Sequence, residues 1–214
     1  MNEIKIISFD VEGTLVTTDF SYAIWFEAIP KRYSAKHNIP FEQAKEEVIK
    51  EYEKIGITKE MDFEQRVTKI FDYVAREIHY LGIEYGLNGY QPRFPSKVIR
   101  DKYGDCKDKS TLMKVFLNLA GISSNITLVR TANVGNMDSL PLITAFNHAV
   151  LTVYNERGIP YIVDPTVEYG LPFELPQGLE TSFAMEIEKG GFRLKTITRN
   201  SGVENLNNVN NKVM

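Results

Sequence analysis

Apolar positions recur at helical spacing in three stretches of the chain and gather in short runs elsewhere. Phe41, Ala44, Val48, Ile49 and Tyr52, with glutamates and lysines opposite, predict a helix opened by Pro40 and closed by Gly56. The pattern restarts at Asp62, where Phe63, Val67, Ile70, Phe71, Val74 and Ile78 mark a second amphipathic stripe. A third helix begins at Cys106, carries Leu112, Val115, Phe116 and Leu119 on one face, and stops at Gly121. Pro95 to Lys102 predicts a short helix, and the glycines and prolines from Gly82 to Pro95 predict a loop before it. Asn125–Thr131, Phe146–Tyr154 and Pro160–Pro165 read as strands, the last two joined by a hairpin at Asn155–Gly158. Residues 183 to 197 predict a further strand or two around Gly190-Gly191. At the other end, Ile4–Ser8 reads as a strand followed by the turn Glu12-Gly13-Thr14, and the asparagine-rich tail from Asn200 reads as disordered.

This organisation predicts three parts: a strand-helix segment over 1–61, a larger unit over 62–199 and a disordered tail over 200–214. Lys59-Glu60-Met61-Asp62-Phe63 joins the first two with no Pro, Gly or Ser run, as in a fusion of unrelated pieces. The hydrophobic share of 43% is enough for a packed core, and the net charge of -3 gives no reason to expect nucleic acid or a membrane surface. One cysteine cannot form an internal disulfide. Met1–Ile7 lacks the basic start and apolar run of a signal peptide, and no stretch approaches the roughly 20 apolar residues of a membrane span. A soluble, cytoplasmic protein is the expectation.

That cysteine changes the picture. Cys106 lies in Tyr103-Gly104-Asp105-Cys106-Lys107-Asp108-Lys109-Ser110, where a loop enters a helix. The first turn of a helix favours a thiolate over a thiol, because its unsatisfied amides and dipole attract negative charge. Downstream, Phe146-Asn147-His148 and Val163-Asp164-Pro165 set His148 and Asp164 in otherwise largely apolar strands. Cys106 as nucleophile, His148 as base and Asp164 as the carboxylate that orients the imidazole compose a triad for acyl transfer through a thioester. The Cys106 amide is a candidate donor to the oxyanion. Singly, each residue also suits a structural role: a small buried hydrophobe, a hydrogen-bonded strand histidine, a turn former. Together, and in this order, they favour catalysis. Asp105 fits the helix N-cap, and Lys107, Asp108 and Lys109 read as a charged surface at the helix start.

Residues from about 65 to 180 resemble the transglutaminase-like superfamily of papain-type cysteine enzymes. The resemblance rests on Gly89-Tyr90-Gln91-Pro92, the Gly-Asp-Cys-Lys-Asp-Lys run at 104–109, Phe146-Asn147-His148 and Val163-Asp164-Pro165-Thr166. It implies an α+β fold with the nucleophile's helix packed on an antiparallel sheet, preceded here by a partial α/β strand-helix segment. It implies Cys106, His148 and Asp164 as the catalytic set and, by analogy with papain-like enzymes, Gln91 as an extra oxyanion donor. The implied substrate is a peptide or glutamine-like carboxamide, with no cofactor required.

Residues 3 to 60 resemble a different family. Ile6-Ile7-Ser8-Phe9-Asp10-Val11-Glu12-Gly13-Thr14 is similar to the first motif of haloacid dehalogenase-like phosphohydrolases, which implies Asp10 as nucleophile, Glu12 as acid and Mg²⁺ as metal. Glu12 stands where that family has aspartate, and the later Ser/Thr, lysine and acidic motifs do not follow in order. The expected function is therefore cysteine-dependent acyl transfer. A Mg²⁺-dependent phosphohydrolase at Asp10 and a non-catalytic peptide-binding module are the alternatives.

Overall fold

A computed structural model describes residues 41–82, 89, 91–131, 145–188 and 191–198. The segment carrying Asp10 and Glu12 and the tail from Asn200 lie outside these residues.

The first described helix, α1 (Phe41–Ile55), ends where Gly56 adopts a left-handed φ of 69°. Asp62 opens α2 (Phe63–Glu77) with a capping box: its side chain accepts from the Gln65 amide, and the Gln65 side chain returns to the Asp62 amide. Two residues of strand, β1 (His79–Tyr80), follow. The short helix α3 (Pro95–Asp101) and the strand β2 (Tyr103–Gly104) lead into α4 (Cys106–Leu119). The pairing of β1 with β2 is parallel, and the Leu81 amide adds a bond to the Gly104 carbonyl at 3.0 Å. The end of α2 is thus stitched to the turn just before Cys106.

Among the described residues five more strands follow: β3 (Ser124–Arg130), β4 (His148–Tyr154), β5 (Pro160–Val163), β6 (Phe183–Glu188) and β7 (Gly191–Thr196). They form an antiparallel sheet in the order β5-β4-β3-β6-β7. The β4–β5 hairpin closes through Asn155, whose side chain accepts from the Arg157 and Ile159 amides at 2.9 Å, and through Gly158 at a φ of 74°.

The sheet's two faces bury different material. Leu151, Val153 and Val163 join Val67, Ile70, Phe71 and Val74 of α2 and Leu112, Phe116 and Leu117 of α4 in the main core. Each such fully buried side chain is worth about 1.5–3 kcal/mol against exposure. Val48, Tyr52 and Ile55 of α1 pack on this same core, and Tyr52 and Tyr73 flank Phe116 at 5.9 and 5.6 Å between ring centroids. On the other side Val129, Val150, Ile162, Ala184 and Ile197 cluster beside a buried polar chain. In that chain Lys195 donates to Glu186 and to Thr152, both at 2.7 Å, and Thr152 meets Thr127 at 2.7 Å. The fold is α+β, with the cysteine's helix packed against an antiparallel sheet.

Candidate active site

Cys106 is the first residue of α4, and Asp105 caps it. The Asp105 carboxylate accepts from the Asp108 amide at 3.2 Å, and the Asp108 carboxylate accepts from the Asp105 amide at 3.3 Å, a second capping box. The cysteine is 7% exposed, at the positive end of a helix whose first amides have no intrahelical partner.

His148 opens β4 and Asp164 follows β5 directly. Because these strands are hydrogen-bonded neighbours, the two side chains meet: His148 Nε2 donates to Asp164 Oδ2 at 2.8 Å. The other carboxylate oxygen, Oδ1, accepts from the Thr166 amide at 3.0 Å and the Thr166 hydroxyl at 2.7 Å. Burial alone would raise the Asp164 pKa. The His148 bond and charge, together with the Thr166 donors, hold it below the ordinary carboxylate value instead.

The Cys106 side chain lies within hydrogen-bonding and electrostatic range of the same imidazole. With Nε2 committed to Asp164, Nδ1 is the nitrogen left to serve the sulfur. Burial disfavours the imidazolium, but bonds to Asp164 and Cys106 and the charges of both outweigh it and push the His148 pKa up to about 10. The ring lies between a carboxylate and a sulfur, and both favour its protonated form.

Further contacts tie the cysteine's helix to the sheet and to α2. Ser110, one turn beyond Cys106, donates through Oγ to the Ala149 carbonyl at 2.9 Å, next to His148. Lys109, 1% exposed, donates to the Ala75 and Ile78 carbonyls at 3.0 and 2.6 Å and so caps the end of α2 from within. Burial brings its amine down to about 8, against the pull of the Glu168 and Asp164 charges. Asn147 braces the start of β4, its side chain exchanging bonds with the Thr131 amide and hydroxyl at 3.0 and 2.9 Å.

The structure brings Cys106, His148 and Asp164 into one cluster. Gln91 is half-buried, two residues before Arg93, which binds Asp108 of the cysteine's helix. The expectation of a charged surface at residues 107–109 is corrected. Asp108 and Lys109 are buried and paired, because their partners come from the 91–94 segment and from the carbonyl end of α2. The roles of Thr166 and Ser110 come from the structure, not from the sequence reading. The Asp-x-Thr spacing, which suits a local turn, and the four-residue spacing from Cys106 were the available signals. Among the described residues, no group of three or more His, Cys, Asp or Glu side chains is placed to hold a metal ion. Nor is any helix among them long and apolar enough to cross a membrane.

The cluster, carried on a helix against an antiparallel sheet, has the layout of a thiol-enzyme site. The family model of the transglutaminase-like superfamily matches residues 52–165, more than half of the chain, and the protein belongs to that superfamily. A candidate protease from Parabacteroides distasonis is similar in fold, with a TM-score of 0.54 and 16% identity, over 75% of this chain and 28% of its own. A structure described as a TGase gives 0.47 and 17% identity, over 71% of this chain and 40% of its own. A candidate cysteine protease from Cytophaga hutchinsonii gives 0.42 and 16% identity, over 58% and 38%. The chain thus spans less than half the length of each of these structures. Comparison with curated proteins gave no match.

Proposed function

We propose that this protein catalyses cysteine-dependent acyl transfer on a peptide or glutamine-like carboxamide. The observation that carries this reading is one imidazole bonded to Asp164 and within range of the Cys106 sulfur at a helix start.

In the proposed reaction Cys106 attacks the carboxamide carbon as a thiolate, its proton resting on His148 as the imidazolium of the pair, and the carbonyl oxygen takes up negative charge. The Cys106 amide and the Gln91 side chain are the proposed donors to that oxygen. As the C–N bond breaks, the His148 imidazolium gives its proton to the departing amine or ammonia, leaving a thioester. Water or a second amine then attacks the thioester. His148 takes its proton and the sulfur departs. Asp164 keeps the ring in the required tautomer throughout, fixed in turn by Thr166. The reaction as proposed draws on no cofactor.

The test is incubation with a glutaminyl peptide and hydroxylamine, following hydroxamate and ammonia by mass spectrometry and a coupled assay. The wild type should form product, and Cys106→Ala should form none while keeping the wild-type circular dichroism. Equal product from Cys106→Ala would remove the sulfur from the chemistry.

A further inference from the structure

Arg93 lies outside the triad, yet its donors converge on the turn that presents Cys106. Its backbone amide donates to Asp108 Oδ1 at 2.6 Å and its Nε to Asp108 Oδ2 at 2.8 Å. Nη2 donates to the Tyr103 carbonyl, Nη1 reaches Asp101 Oδ2 at 3.4 Å, and the guanidinium sits 4.4 Å above the Tyr103 ring. The turn from Tyr103 to Asp108 is therefore gripped near both ends by one side chain, with Cys106 between. Gly104 permits the close approach, since a Cβ there would stand 2.8 Å from the Asp108 Cβ. A capping box needs only Asp105 and Asp108. The arginine fork holds the same Asp108 Oδ2 that accepts from the Asp105 amide, and so fixes both the cap and the turn against the segment that also carries Gln91.

We propose that Arg93 is a positioning residue for acyl transfer. Through Asp108 and the Tyr103 carbonyl it sets the 103–108 turn so that the Cys106 sulfur and the Cys106 amide meet one substrate carbonyl together. This rests on the acyl-transfer reading above and adds a residue to it. The physical consequence is a split between two reactions of one sulfur. Attack on a carbonyl needs both sulfur and oxyanion donor in register, and a displacement of about 1 Å costs roughly 100-fold. Alkylation by iodoacetamide is a displacement at carbon that needs the sulfur alone.

The experiment measures three quantities on the whole chain: the acylation burst with p-nitrophenyl acetate, the alkylation rate of Cys106 by iodoacetamide, and Tm. Arg93→Lys keeps the charge and cannot form the fork. It should lower the burst rate by about 30-fold or more, with alkylation within about threefold of wild type. Gly104→Ala retains every donor and acceptor while pushing on Asp108. It should show the same split, and it carries the test if Arg93→Lys does not fold. Acylation at the wild-type rate in these variants, or acylation and alkylation falling together, overturns the assignment. A wild type that alkylates but never gives a burst overturns the thioester reading itself.

Discussion

His148 Nε2 stands 2.8 Å from Asp164 Oδ2, and the opposite oxygen of that carboxylate is held by two donors from Thr166. The carboxylate is thereby fixed in rotation, and the imidazole with it. Replacement Asp164→Asn keeps the shape but removes the charge, and the amide can present its NH₂ to the ring. Turnover should fall by about 10²- to 10⁴-fold with little change in substrate affinity, as judged by kcat and KM separately. A drop confined to KM would assign Asp164 to binding instead.

The raised pKa of His148 has a stability consequence whose sign is fixed. The folded protein holds the proton to about 10, whereas the ordinary value is 6.5. The associated stabilisation is fully present below about 6.5 and is lost as pH rises toward about 10. Urea unfolding should show the wild type losing stability between pH 7 and 10, and His148→Gln losing distinctly less. Asp164 acts in the opposite sense. Its pKa is lowered, so its contribution is present above about 4 and lost as pH falls further. Parallel curves for wild type and His148→Gln on the alkaline side would contradict the charged imidazole.

Ser110 ties α4 to β4 beside the site through the Ala149 carbonyl at 2.9 Å. Ser110→Ala leaves that buried carbonyl short of a donor. It should cost about 1–3 kcal/mol in denaturant unfolding and lower turnover modestly by loosening the helix against His148. An unchanged unfolding midpoint would show that the bond is made equally well by water.

On β6 and β7, Lys195 and Glu186 form a buried pair at 2.7 Å, with Tyr154 and Asn125 also donating to Glu186. Lys195→Met leaves a buried carboxylate without its cation. It should destabilise by about 3–5 kcal/mol. Lys195→Met combined with Glu186→Gln should recover much of that loss. Failure of the second change to recover any of it would mean that packing of the lysine stem, not charge, is what matters.

Local signals along the chain carried much of this architecture. The helix read from Cys106 to Leu119 is α4 with the same bounds, Asp105 caps it, and Gly121 ends it at a φ of 74°. The Asn155–Gly158 connection was legible because Asn and Gly have specific backbone uses. The order Cys, His, Asp was legible because each sits in a short, recognisable context. Long-range pairing was not. Nothing local to β3 states that its second partner is β6, or that β1 and β2 would stitch α2 to the cysteine's turn. The burial of Asp108 and Lys109 was hidden for the same reason: charges read as surface until their partners, Arg93 and the Ala75 and Ile78 carbonyls, arrive through folding.

Acid-quenched mass spectrometry after mixing with p-nitrophenyl acetate tests the central claim most directly. A single acetyl group should appear on the peptide containing Cys106 within the burst, and His148→Asn should slow its appearance by about 100-fold or more. An acetyl group found elsewhere, or one that forms on Cys106 equally fast without the imidazole, would contradict the account.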